Sequence, residues 1–168
     1  MFSLQKIFLI TMVLGSGLMG LTNVAQAKDM THRLGVGIKD NLSRTLPSLA
    51  AVYYPTMEIA ITAGAGLDTE KNNSAMQINA GARRVIFFEP NLNFFMGGQV
   101  AVVTYEDATN GKQNGYELQA VLGAEFFLQG LENLAFTFEM GAGIVSLGEV
   151  RFRTVGLDPL KAGLIFYF

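Results

Sequence analysis

The chain has 168 residues, half of them hydrophobic, with 15% charged and a formal net charge of −2. So weak a charge, with no basic run, excludes an electrostatic nucleic-acid partner, and the absence of cysteine excludes disulfides and a lipoprotein acyl anchor. Mean hydropathy of +0.32 would suit a helical membrane protein, but beyond residue 27 no apolar stretch approaches the roughly 20 residues a spanning helix needs.

The long apolar run is near the start, Ile7 to Leu21 after Lys6, followed by Ala25-Gln26-Ala27 and then polar Lys28-Asp29. This reads as a Sec signal peptide over 1–27, cleaved after Ala27, and it leaves a single domain over 28–168. An uncleaved anchor helix is the competing reading. An exported hydrophobic chain without a spanning helix is either a soluble β-protein or a transmembrane β-barrel.

Along the mature chain, apolar and polar residues alternate with period two. Met57, Ile59, Ile61, Ala63, Ala65 and Leu67 oppose Glu58, Thr62, Gly64, Gly66 and Asp68. Met76, Ile78, Ala80 and Ala82 oppose Gln77, Asn79, Gly81 and Arg83. Tyr116 to Phe126 in even steps oppose Glu117, Gln119, Gly123, Glu125 and Phe127, and Leu134 to Ile144 oppose Thr137, Glu139, Gly141 and Gly143. The pattern predicts about eight strands, near 33–40, 46–54, 57–68, 75–88, 92–105, 115–128, 134–147 and 159–168. Several reach the roughly 9–11 residues that a tilted strand needs to cross a bilayer. The expected fold is all-β: an antiparallel up-and-down transmembrane barrel with its lumen filled by side chains.

Connectors alternate between tight (Tyr54-Pro55-Thr56, Glu89-Pro90-Asn91, Gln129 to Asn133) and longer, polar ones (Asp40 to Thr45, Asp68 to Ser74, Glu106 to Gly115, Leu147 to Asp158). Short periplasmic turns and longer outer loops follow this rule, and an even strand number puts both termini on the periplasmic side. Tyr53, Tyr54, Phe87, Phe88, Phe94, Phe95, Phe126, Phe127, Phe136, Phe138, Phe166, Tyr167 and Phe168 gather at the short-turn ends. They are expected to form one interfacial girdle.

The polar parity is rich in glycine, which suits a narrow interior where small and large side chains interleave. Charges on that parity need partners there. The expected lumen network is Arg33, Lys39, Glu58, Arg83, Glu117, Glu125, Glu139 and Lys161. Arg84 breaks the pattern by falling on the lipid parity, and either a bulge or snorkelling to the rim must resolve it. Segment 149–155 alternates too, and is expected to extend the last hairpin above the membrane, with Pro159 interrupting it.

The chain closes on Lys161-x-Gly163-x-x-Phe166-x-Phe168. With the cleaved signal, the eight alternating segments and the connector rhythm, this ending resembles small outer-membrane barrels of the OmpX and OmpA-transmembrane-domain type. The resemblance implies a monomer in outer-membrane lipid and lipopolysaccharide, served by periplasmic chaperones and the barrel-assembly machinery, with Lys161, Gly163, Phe166 and Phe168 matching the assembly signal. The residues themselves show no metal-ligand cluster, phosphate loop or nucleotide motif, so no catalytic residue, cofactor or metal is expected. The role the resemblance suggests is non-enzymatic, in envelope structure or surface interaction, with loops 68–74 and 106–115 the outward surface. Three alternatives compete: a lipid-A-modifying enzyme, a narrow channel, and a soluble periplasmic barrel for an apolar ligand. The single histidine, His32, precedes the first strand on the periplasmic side, which argues against a serine–histidine mechanism at the outer rim.

Overall fold

A computed structural model of the chain describes residues 28–41, 46–107, 111–154 and 160–168. The expected signal peptide and Pro159 lie outside them. Among the described residues nine strands form: β1 (Leu34–Asp40), β2 (Pro47–Tyr53), β3 (Ile59–Asp68), β4 (Ala75–Glu89), β5 (Leu92–Asp107), β6 (Gly111–Leu128), β7 (Leu131–Leu147), β8 (Glu149–Thr154) and β9 (Lys161–Tyr167). Each of β1 to β7 pairs antiparallel with the next, and β9 joins β7 to β1, which closes the sheet into an eight-stranded barrel. Closure pairs both edges of the strands in the ring, while β8 pairs with β7 alone.

The eighth wall strand is interrupted. β8 turns back on β7 through Gly148, whose φ is +74°, and pairs from Leu147↔Glu149 to Ala142↔Thr154. β9 then occupies the lower part of the same β7 edge, from Glu139↔Lys161 to Leu134↔Phe166. The segment expected to extend the last hairpin is therefore a true upper half of the closing strand. The start of β1 meets the end of β9 at the opposite mouth, where Leu34 and Phe168 exchange backbone hydrogen bonds of 3.1 and 3.0 Å.

Strands β5 and β6 run further than the alternation suggested, to Asp107 and from Gly111. Both faces are polar there, so hydrophobic periodicity carries no signal. Cross-strand contacts hold the extension, with Thr104 Oγ1 donating to Asn114 Oδ1 (2.9 Å) and Glu106 opposite Lys112. The barrel wall is consequently uneven: β1, β2 and β9 have 7 residues each, against 15 to 18 in β4 to β7.

Parity decides which way each side chain points. Ile78, Val102 and Leu118 face outward at 56%, 62% and 55% exposure, while their polar neighbours Gln77, Asn79, Gln99, Glu117 and Gln119 are buried inside. Glycine makes room for the largest inward groups. A Cβ on Gly35 would meet the Tyr167 ring at 2.5 Å, and one on Gly123 would meet the Phe95 ring at 2.5 Å.

Adjacent glycines on opposite faces provide an internal control. A Cβ at inward Gly97 would meet the Arg83 side chain at 2.8 Å and crowd the Ala82 backbone, whereas at outward Gly98 the nearest atom is 3.4 Å away. Gly97→Ala is expected to destabilise the barrel by about 1–3 kcal/mol through overpacking. Gly98→Ala should leave the urea midpoint of the lipid- or detergent-folded protein nearly unchanged.

Candidate functional site: the filled lumen

The centre of the lumen is a carboxylate, Glu125 on β6, with no solvent exposure. Its oxygens accept hydrogen bonds from Tyr54 OH at 2.6 Å, from Arg83 Nη2 at 2.5 Å and from Tyr167 OH. Arg83 Nη2 also reaches both tyrosine hydroxyls, at 2.9 and 3.3 Å. Its guanidinium lies 4.2 Å from the Phe95 ring centroid, a cation–π contact strengthened by burial. One carboxylate, one guanidinium and two phenols, from four strands or strand ends, thus satisfy one another across the barrel axis.

A second tier adjoins the first. Lys39 Nζ donates to both Glu139 oxygens, at 3.1 and 2.9 Å, and Arg83 Nη1 lies 4.0 Å from the same carboxylate. Lys161, 2% exposed, faces Glu139 in the β7–β9 register. Towards the long loops the polar interior continues. Gln99 Nε2 donates to Gln119 Oε1 (2.6 Å), and Gln119 Nε2 to Glu117 Oε2 (2.9 Å). On the low wall, Asn79 donates to Asn41 Oδ1 (3.0 Å), and Asn41 donates to Ser48 Oγ (2.5 Å).

Among the described residues the interior thus holds both signs of charge, Lys39, Arg83 and Lys161 with Glu117, Glu125 and Glu139. Opposite charges in proximity are what a low-dielectric interior demands, since an uncompensated buried charge costs several kcal/mol. The space left is small. A cavity of about 10 Å³ lies beside Lys39, Thr62, Arg83 and Glu139, room for about one water. Gln77, Asn93 and Thr137 carry buried polar atoms without a protein partner.

Two expected members lie elsewhere. Glu58 is not in the lumen: it pairs outside with Arg84 at 3.0 Å, the two side chains being 54% and 68% exposed. Arg33 sits at the mouth, where its Nη1 donates to Asn133 Oδ1 at 3.0 Å. Both residues immediately precede their strands, β3 beginning at Ile59 and β1 at Leu34; Glu58 departs from the inward parity, whereas Arg33 keeps it and is half-buried at the barrel end. Arg84 keeps its outward direction and is neutralised by Glu58. The bulge in β4 falls after it, between Val85 and Phe87, and turns both Ile86 and Phe87 outward.

The single aromatic girdle is also corrected. Tyr53, Phe87, Phe94, Phe126, Phe138, Phe166 and Phe168 do face outward, but Tyr54, Phe95, Phe127 and Tyr167 point inward and are buried. With Met30, Val85, Ala135 and Ile165 they form an apolar layer closing the short-turn end. Parity held this information: Phe127 follows Glu125 at two residues, and Tyr167 follows Lys161 and Gly163 in even steps. Among the described residues no three His, Asp or Glu side chains converge as a metal site would.

The fold is similar to the crystal structure of the N-terminal β-barrel domain of Pseudomonas aeruginosa OprF. That likeness has a TM-score of 0.61 and 13% identity, covering 82% of this chain and 98% of that one. No protein-family model matches the sequence, and no curated protein does.

Removing Glu125 alone leaves Arg83 buried without its counter-charge. Glu125→Ala should therefore lower unfolding free energy by about 3–5 kcal/mol, whereas the double variant Arg83→Leu/Glu125→Leu should recover much of that loss. Equilibrium urea unfolding, followed by tyrosine fluorescence and gel mobility, measures both.

Proposed function

We propose that this chain is an integral outer-membrane β-barrel protein with a non-enzymatic role in envelope structure or surface contact. The inversion of its surface carries the reading. A soluble barrel points its apolar parity inward, whereas here the interior is charged and amide-rich and the outer wall is apolar. Such a wall suits hydrocarbon, where a closed sheet satisfies its backbone internally. The wall also contains an open apolar hollow of about 580 Å³, bordered by Phe87, Phe94, Leu122, Phe138 and Met140, a surface that water would penalise. The OprF likeness supports the same placement.

The other readings find less support. His32 is exposed in a turn ahead of β1, where its backbone N–H bonds the Tyr54 carbonyl at 2.7 Å. That position is a conformational one, at the mouth opposite the long loops. A channel would need a continuous aqueous path, and the tiers around Arg83 and Glu139 occupy the axis. A soluble barrel for an apolar ligand would need an apolar interior.

In this reading the termini are periplasmic, and lipid and lipopolysaccharide contact the wall. The assembly machinery would read Lys161, Gly163, Phe166 and Phe168 before closure. Once the barrel is closed, Lys161 is buried and Gly163 leaves space for the Lys39 side chain, which a Cβ there would meet at 2.9 Å. Phe166 and Phe168 remain outward at 49% and 65% exposure.

The expected behaviour is fractionation with outer membranes and a shift in gel mobility on heating in SDS; a soluble protein unmodified by heat contradicts the reading. Deleting Phe168 should reduce the heat-modifiable fraction in membranes, and an unchanged folded yield would remove its role as an assembly signal.

A further inference from the structure

Below the Arg83–Glu125 tier, the mouth on the short-turn side is filled by a residue that belongs to no strand. Met30 is fully buried and shares the apolar layer with Tyr54, Phe127, Ala135 and Tyr167. The same layer takes Ala60 from β3, Val85 from β4 and Phe95 from β5, so it spans the ring, and the fully buried methionine lies within it. An unbranched thioether suits such an irregular gap.

The chain is shaped to hold it there. Thr31 N–H donates to Asp29 Oδ1 at 2.8 Å, and Arg33 N–H donates to the Met30 carbonyl at 3.0 Å. The second bond closes a β-turn whose third residue, His32, takes φ +61°, a conformation in which a non-glycine residue needs support from its surroundings. Support comes from both sides: the His32 N–H bond to Tyr54 and the Arg33 bond to Asn133 in the β7 end. Lys28 lies with Nζ 4.6 Å from the centre of the Phe127 ring. Burial lowers the affinity of that ammonium for its proton, with Glu132 opposing and Arg33 adding to the shift.

We infer that residues 28–33 form a stopper, in which Met30 seals the short-turn mouth and isolates the Arg83–Glu125 tier from solvent on that side. The inference rests on the barrel fold and not on where the barrel resides. It also orders events: Tyr167 belongs to the closing strand, so the layer that receives Met30 is complete only after β9 has paired with β1.

The absence of cysteine makes the test direct. A single reporter, Ala135→Cys, sits fully buried in the layer, and Val103→Cys, also buried, serves as a control near the opposite end of the lumen. Each is placed in the full chain, expressed and purified in detergent, and reacted with a small charged methanethiosulfonate. Met30→Gly should accelerate labelling at position 135 by about tenfold or more, as local opening does for a protected site, and leave position 103 unchanged. Arg33→Ala, which releases the tether but keeps Met30, should act in the same direction with smaller effect, and it stands in should Met30→Gly fail to give heat-modifiable protein. Unchanged labelling at 135 in the folded variants overturns the stopper and leaves Met30 as ordinary packing. Equal acceleration at both positions also overturns it, because the whole barrel has then loosened.

Discussion

The structure depends on the Glu125 carboxylate being satisfied inside the barrel by protein groups. Eight strands enclose a space that side chains alone fill, so every inward charge must meet its complement within a few ångströms. Glu125 does so with one guanidinium and two phenols. The requirement propagates outward. Arg83 spans the gap to Glu139, which Lys39 neutralises, and Lys161 lies across from Glu139 in the next strand. Pairing of this kind contributes little net stability against an apolar core, because desolvation offsets it. It does fix which residues must face inward, since a one-residue slip would expose these charges to the outer face.

Glycine is the other half of that constraint. Tyr167 and Phe95 can enter the lumen because their neighbours across the sheet, Gly35 and Gly123, contribute no side chain there. Large and small positions therefore alternate around the ring as well as along each strand. The same economy explains the unequal wall. Where β1, β2 and β9 are short, loop-proximal groups such as Asn41, Leu46 and Ser48 fold over the interior and bond to one another.

Most of the fold was legible because period-two alternation maps directly onto direction in a strand. The inward set Lys39, Arg83, Glu117, Glu125, Glu139 and Lys161 follows from parity alone. Errors arose where parity lapses or was set aside. Glu58 precedes its strand by one residue and departs from the inward parity, whereas Arg33 keeps that parity but lies at the barrel end, and no local signal marks either boundary. The extensions of β5 and β6 beyond the apolar wall are polar on both faces, so their pairing is invisible to hydrophobic periodicity. The inward tyrosines and phenylalanines were assigned by composition to a girdle although their spacing placed them with the glutamates. Met30 had no sequence signal at all: a single apolar residue before a strand gains meaning only when the ring above it closes.

The closing strand shows why one stretch can carry two kinds of information. Its outward parity, Leu164, Phe166 and Phe168, presents an apolar stripe on the outer wall. Its inward parity, Lys161, Gly163 and Tyr167, has a role only inside the completed ring, where it adds a cation, a space for Lys39 and a phenol for Glu125. The two sets do not compete because the strand geometry separates them. A substitution on the outward face acts on the apolar outer wall, while one on the inward face acts on the lumen network. The terminal eight residues are therefore constrained at nearly every position, and the backbone exchange between Leu34 and Phe168 joins both constraints at the point where the barrel closes.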